Sequence, residues 1–268
     1  MTNSDLKEIC QRVRLSILES CFRSGGHIST SLSCVEILVE LYFGDENRLK
    51  YDDIKLRSCD RDVFVMSKGH GENALYSVLI EKGFVAERDL KDNYRGGDFV
   101  LGGHVDSSVP GVEVSTGALG HGCSVAAGIA LAKKKRGCNG VTYCLLGDAE
   151  CSEGSVWESI IFAVNNRLDN LVFIIDDNKI GSLDFTSNYI DFDRYEAVKG
   201  FGANVLRVDG HCLDDLHSAL ALPRSAFTVI VADTTKGKGI ASVENDPIWH
   251  VKKVDEPTYN NGILELRK

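Results

Sequence analysis

Short apolar runs bounded by turn residues recur along the chain at Asp62 to Met66, Val141 to Leu146, Leu171 to Ile175, Asn204 to Val208 and Phe227 to Val231. Runs of this length and content predict buried strands. Between several of them apolar positions return with helical spacing, over Ala74 to Ile80, Cys123 to Arg136, Trp157/Ile160/Ile161/Val164 and Leu213 to Leu220. The start, Met1 to Arg14, reads as an amphipathic polar helix. Continuous apolar strands alternating with helices predict an α/β fold, a mostly parallel sheet with helices on both faces. No repeat, low-complexity tract or domain boundary interrupts the pattern, so one domain over residues 1–268 is expected. The glycine-rich stretch Arg95 to Gly122 is long and irregular, and in a compact domain such a loop is usually functional.

Composition narrows the function. Hydrophobic residues at 43% and charged residues at 26% describe a folded globular chain, and four prolines argue against long linkers. A formal charge of −9 leaves no footprint for a nucleic-acid backbone. The longest basic run, Lys133 to Arg136, reads as a solvated last turn that suits the helix dipole. No apolar stretch reaches the roughly 20 residues that span a bilayer, and Met1 to Arg14 lacks a signal-peptide core, so the expected compartment is the cytoplasm. Nine scattered cysteines without a C-x-x-C pair predict reduced thiols, several of them buried as small hydrophobes.

In an open α/β sheet, ligands bind beyond the carboxyl ends of the strands. Two predicted strands run into polar residues there, one into Gly147 and Asp148, the other into Asp176, Asp177 and Asn178. If those strands are neighbours, Asp148, Asn178 and a nearby carbonyl supply hard oxygen ligands, an incomplete octahedron that a diphosphate and water would finish around Mg²⁺. Taken alone, either residue is more simply a helix cap or a turn former.

The surroundings change that reading. Gly147, Asp148, Ala149 and Glu150, with Asn178 thirty positions after Asp148, resemble the thiamine-diphosphate motif that begins Gly-Asp-Gly and ends in Asn. Ala149 departs from it, which raises the question of whether the backbone there needs φ > 0. Further motifs in the same order make most of the chain similar to transketolases: Ser24 to His27, Asp60-Arg61, Ser67 to Gly71, Gly103-His104, Pro110 to Gly120, Glu153 to Glu158, Leu168 to Leu171, Val208 to His211, Lys236 to Gly239 and Trp249-His250. Full-length transketolases continue with a pyrimidine-binding domain, which carries the glutamate that activates the cofactor, and a third domain. The resemblance therefore implies the N-terminal subunit of a split transketolase, active with a C-terminal partner subunit, most simply as a heterotetramer with two copies of each.

The resemblance also assigns residues. It implies thiamine diphosphate with Mg²⁺, or another divalent cation such as Ca²⁺ or Mn²⁺, the metal being held by Asp148, Asn178 and the carbonyl of Ile180. Gly147, Ala149 and Glu150 belong to the same cofactor motif. Lys236 and His70 are placed to approach the diphosphate, and Gly117 and Leu119 to lie along the aminopyrimidine. His27, His104 and His250 match the histidines around the reacting carbons, with His250 also counted among the cofactor residues; imidazole suits proton handling near neutral pH. His121 and His211 read as structural and His217 as a surface residue. Glu153 and Glu158 match a carboxylate network between active sites, with simple helix-start charge as the alternative.

After His27 the chain continues Ile28-Ser29-Thr30 where transketolases commonly carry proline and glycine, and Ser182 to Phe185 replace the usual Ile-Asp-Gly. The resemblance implies that both segments border the sugar pocket, so an altered ketose donor or aldose acceptor, for example an unusual sugar phosphate or a sulfonated or branched sugar, is one reading. A deoxyxylulose-phosphate-synthase-like activity and a non-catalytic, cofactor-binding regulatory role remain as alternatives to two-carbon ketol transfer.

Overall fold

All five apolar runs become strands of one sheet in the computed structural model, which describes residues 1–44, 49–50, 59–95 and 101–268. They are β1 (Val63–Met66), β2 (Thr142–Gly147), β3 (Leu171–Asp177), β4 (Asn204–Asp209) and β5 (Thr228–Asp233). Their order is β1-β2-β3-β5-β4 and every pairing is parallel. The helices are α1 (Asn3–Ser24), α2 (Ile28–Ser33), α3 (Val35–Phe43), α4 (Glu72–Glu81), α5 (Glu87–Asn93), α6 (His121–Arg136), α7 (Gly154–Asn165), α8 (Arg194–Gly200), α9 (Leu213–Ala221) and α10 (Glu256–Leu266). The α/β expectation holds. Part of the predicted loop from Arg95 to Gly122, residues 96–100, lies outside the described residues.

Local chemistry sets the ends of these elements. Thr2 and Asp5 cap α1 reciprocally, the Thr2 side chain accepting from Asp5 N at 3.2 Å and the Asp5 carboxylate from Thr2 N at 2.8 Å. Its stripe of Leu6, Ile9, Val13, Ile17 and Cys21 is buried. At the other end of the sheet's cover, α6 stops at Gly137, whose φ of 70° is the left-handed C-terminal cap.

Strand residues alternate between two cores, as the period of 2 requires. Phe64, Tyr143, Leu145, Val172, Ile174 and Ile230 join α1 to α4, α9 and α10 on one face. Val65, Cys144, Leu146, Phe173, Ile175 and Val229 pack with α6 and α7 on the other. Among the described residues no helix is long and apolar enough to cross a membrane.

Three expectations need correction. β4, read as buried, lies at one edge of the sheet and has no fully buried residue; among the described residues its outer side meets no further strand. Lys133 is not solvated: its ammonium turns inward to donate to the carbonyls of Cys59, at 3.0 Å, and Arg61. Cys59 and Cys138 form a disulfide with Cα atoms 5.6 Å apart, although they lie 79 residues apart in sequence and carry no spacing signal; the other seven cysteines are free thiols.

A buried ion pair ties α1 to α3. Arg14 lies 2.6 Å from Glu36, and Glu36 also accepts from His211 Nδ1 at 2.9 Å. Burial pushes the Glu36 carboxyl up, but the Arg14 guanidinium and the His211 hydrogen bond outweigh it and hold it at about 2. A carboxyl held below its ordinary value of 4.5 contributes stability that is complete above that value and is lost as pH falls through about 2. Glu36→Gln is therefore expected to lose roughly 3 kcal/mol near neutral pH. Denaturant melts of the two proteins should converge as pH falls from about 4.5 towards 2; a gap that stays constant would show that the pair contributes nothing.

Candidate active site

The register of β2 on β3 pairs Gly147 with Asp176, and Asp148 N donates to the Asp176 carbonyl at 3.2 Å. The two strands whose ends carry Asp148 and Asn178 are thus neighbours, as the candidate site requires. Beyond the carboxyl ends of β1, β2, β3 and β5 lies a cavity of about 550 Å³. Its walls hold Gly147, Asp148, Ala149 and Glu150 after β2, Asn178 and Ile180 after β3, and Lys236 after β5. His27, His70, His104, Gly117, Leu119 and His250 close the remaining sides. Glu153 and Glu158 lie outside it, exposed at the start of α7.

Asp148 does cap the short turn that follows β2: Oδ1 accepts from Ala149 N at 2.8 Å, while Oδ2 accepts from Lys179 N at 2.6 Å across the strands. Burial, reinforced by Asp176 and Asp177 and opposed by Arg194, pushes its carboxyl up to about 6. Ala149 is not among the residues with positive φ, so alanine fits where the motif has glycine. Asn178 Oδ1 accepts from Ile180 N at 3.2 Å. The Lys236 ammonium donates to the carbonyls of Ile180 at 2.8 Å and Gly181 at 3.0 Å. Burial and the nearby Lys68 lower Lys236 to about 8.

Glu150 works as a brace. Its carboxylate accepts from Gly120 N at 2.8 Å, Gly147 N at 3.0 Å and the Ser67 hydroxyl, which joins three loops around the cavity. Gly117, at φ 154°, leaves room for the His104 ring, whose atoms would come within 3.2 Å of an added Cβ. Four imidazoles cluster here, with His27 5.8 Å from His70, 5.7 Å from His104 and 5.3 Å from His250 between ring centroids. Burial, then the charge of Lys236, drives His250 down to about 3, and burial with Lys68 drives His70 well below its usual value. Both stay neutral near pH 7, and His250 Nδ1 lies 3.3 Å from Lys236 Nζ and 3.4 Å from the Thr30 hydroxyl.

His211 bridges Glu36 and Thr235 N, the structural place expected of it, and His217, read as a surface residue, is 47% exposed and meets Glu40 at 3.1 Å. Thr30, from a segment expected to border the sugar pocket, lines the cavity; sequence reasoning missed Tyr189, which also lines it, and the pair Lys68 and Asp176. Lys68 stands inside the Ser67 to Gly71 motif and Asp176 in the polar strand end, but nothing in the sequence couples positions 108 residues apart.

The family described as the transketolase thiamine diphosphate binding domain matches residues 7–257. The chain belongs to the transketolase family. One component chain of the apulose-4-phosphate transketolase of Actinobacillus succinogenes is 39% identical over 91% of this chain and 90% of its own length. Human transketolase is 38% identical over 97% of this chain, which spans only 42% of the human protein. Among solved structures, Campylobacter jejuni transketolase superposes with a TM-score of 0.89 at 26% identity, over the whole of this chain and 43% of that one. Transketolase from Pichia stipitis in complex with sedoheptulose 7-phosphate gives 0.91 at 25% identity, over 99% of this chain and 41% of that one. The transketolase fold accounts for the parallel sheet described above, and the family's cofactor domain for a cavity at its strand ends.

Proposed function

We propose that this chain is the thiamine-diphosphate-binding subunit of a split transketolase, acting throughout its length as one cofactor-binding unit. With a partner subunit that carries the pyrimidine-binding domain, it transfers a two-carbon ketol unit from a ketose phosphate to an aldose phosphate. The observation that carries this reading is the gathering of hard oxygen donors, a buried lysine and four imidazoles in one cavity beyond the strand ends. Relatives of similar length support the split arrangement, since two of them are named as subunits of an apulose-4-phosphate transketolase.

A divalent cation fits the donor set. Asp148, Asn178 and the Ile180 carbonyl are the ligand types that Mg²⁺ takes, and the Lys236 ammonium already resting on Ile180 O marks that oxygen as cation-seeking. A carboxyl raised by burial beside two other carboxylates is also short of positive charge. Bound thiamine diphosphate supplies the electron sink for cleavage of the bond next to the ketose carbonyl. The chain's own residues do the rest: Lys236 and His70 orient the diphosphate, and Gly117 lets the aminopyrimidine approach the backbone. His27 and His104 hold or move protons at the substrate's hydroxyl and carbonyl oxygens.

Leu183, in the cavity wall, is 89% exposed, and Ile248 and Val251, on either side of the lining residue His250 in sequence, are 58% and 70% exposed. Ile161 and Phe162 add an apolar patch on α7, beside which Glu158 is exposed. Such patches suit an obligate interface. We place Glu153 and Glu158 in a carboxylate network across it, in a heterotetramer with two copies of each chain.

The test is ketol transfer by this chain with its candidate partner, assayed on apulose 4-phosphate, xylulose 5-phosphate, fructose 6-phosphate and sedoheptulose 7-phosphate. Product should form with at least one donor and only when both chains are present. Transfer by this chain alone at the rate of the mixture would overturn the split-subunit reading.

A further inference from the structure

Glu72 opens α4 and is fully buried, yet it does not line the cavity. A carboxylate in such a place needs its hydrogen-bonding capacity met. One oxygen is served: Oε1 accepts from the Tyr94 hydroxyl at 2.6 Å. That hydroxyl in turn accepts from Asn73 Nδ2 at 2.9 Å, and Asn73 Oδ1 accepts from Ser20 Oγ at 3.1 Å. The other oxygen, Oε2, has no partner, and neither has the buried Nδ1 of His27. The unmet nitrogen faces this carboxylate: His27 Nδ1 stands 3.6 Å from Glu72 Oε1, the oxygen that the Tyr94 hydroxyl also reaches.

The chain is shaped to bring them together. Gly26, immediately before His27, has φ 129°, and a Cβ there would strike the Tyr94 hydroxyl at 2.5 Å and Asn73 Nδ2 at 2.9 Å. Only glycine lets the backbone press so closely on the network that holds Glu72. On its other sides His27 meets the rings of His70, His104 and His250. His70 and His250 stay neutral and offer no charge to compete with the carboxylate, and Glu72 is the acid within reach of the buried nitrogen of His27.

We propose that Glu72 is a positioning residue for His27: its carboxylate takes the Nδ1 hydrogen, which fixes the ring and its tautomer and leaves Nε2 as a proton acceptor towards the cavity. A shift of a few tenths of an ångström brings the pair into hydrogen-bond range. The arrangement follows the general logic by which a buried carboxylate orients a histidine base through its far nitrogen. Its catalytic consequence rests on the ketol-transfer reading; the pairing itself does not.

Two measurements test it. In the full chain carrying ¹⁵N-labelled histidine, long-range proton–nitrogen correlation identifies which nitrogen of His27 is protonated, with His27→Gln giving the assignment. Nδ1–H is expected in the wild type and Nε2–H in Glu72→Gln, whose amide can donate to Nδ1. In the assembled enzyme Glu72→Gln should lower kcat on the order of tenfold to a hundredfold, with KM and thiamine diphosphate affinity changed less than about threefold. Nε2–H in the wild type, or one tautomer in both proteins, overturns the proposal; if Glu72→Gln fails to fold, the wild-type spectrum alone decides. The expected tautomers without any ketol transfer would keep the pairing and sink the proposed function instead.

Discussion

Asp148→Ala is expected to abolish Mg²⁺-dependent binding of thiamine diphosphate by the assembled enzyme, weakening it by at least about a hundredfold. Asp148 is the one carboxylate in the proposed ligand set, and both its oxygens are aimed by backbone N–H groups, from Ala149 on its own turn and Lys179 in the loop after β3. Alanine removes the charge and both hydrogen bonds, leaving the diphosphate no charged link through a metal to the sheet. Losing the cap destabilises the turn by only about 1 kcal/mol, so the variant should remain folded. Calorimetric titration of cofactor with and without Mg²⁺, beside a thermal melt, separates the two effects. Wild-type affinity in a folded variant would remove Asp148 from the metal site.

Lys68→Met should be the most destabilising single change in the cavity wall, at about 3–5 kcal/mol. Lys68 and Asp176 form an ion pair with side chains 1% and 0% exposed. Burial opposes ionisation of both, yet each partner's charge wins: the Lys68 ammonium is raised and the Asp176 carboxyl lowered. Asp176 also accepts from Ser33 at 2.6 Å and from Thr234. Without Lys68 those neutral donors must hold a buried anion alone. For a chain of this size the loss corresponds to a fall in melting temperature of roughly 10 °C or more. Removing the charge on both sides, with Lys68→Met and Asp176→Asn together, should recover part of it. A single variant within about 1 kcal/mol of wild type would show that the pair is dispensable.

What the sequence revealed and what it hid follow from how each contact is encoded. Strands buried on both faces write themselves as continuous apolar runs, so β1, β2, β3 and β5 were legible, as were the polar residues that end β2 and β3. The helices α2 and α3 were not. They are buried on nearly every side, with Ser29, Thr30, Ser31 and Ser33 facing protein, so no amphipathic stripe marks them. Contacts that join distant positions were also silent, among them Lys68 with Asp176, Cys59 with Cys138 and Glu36 with His211. The cavity residues were legible through motif resemblance; the pairs that brace them, including His27 with Glu72, needed coordinates.

The turn that follows the Ile180 carbonyl keeps two traits on separate atoms. Its base is locked by backbone hydrogen bonds, Thr186 N to Lys179 O at 2.8 Å and Gly181 N to Asp184 O at 2.9 Å. Gly181 is closed to any side chain, because a Cβ there would collide with the Tyr189 hydroxyl. The tip, by contrast, projects Leu183 into the open with no backbone duty. The tip is therefore free to vary without disturbing the base beneath it: Leu183→Asp should alter the rim of the cavity while the Ile180 carbonyl keeps its direction.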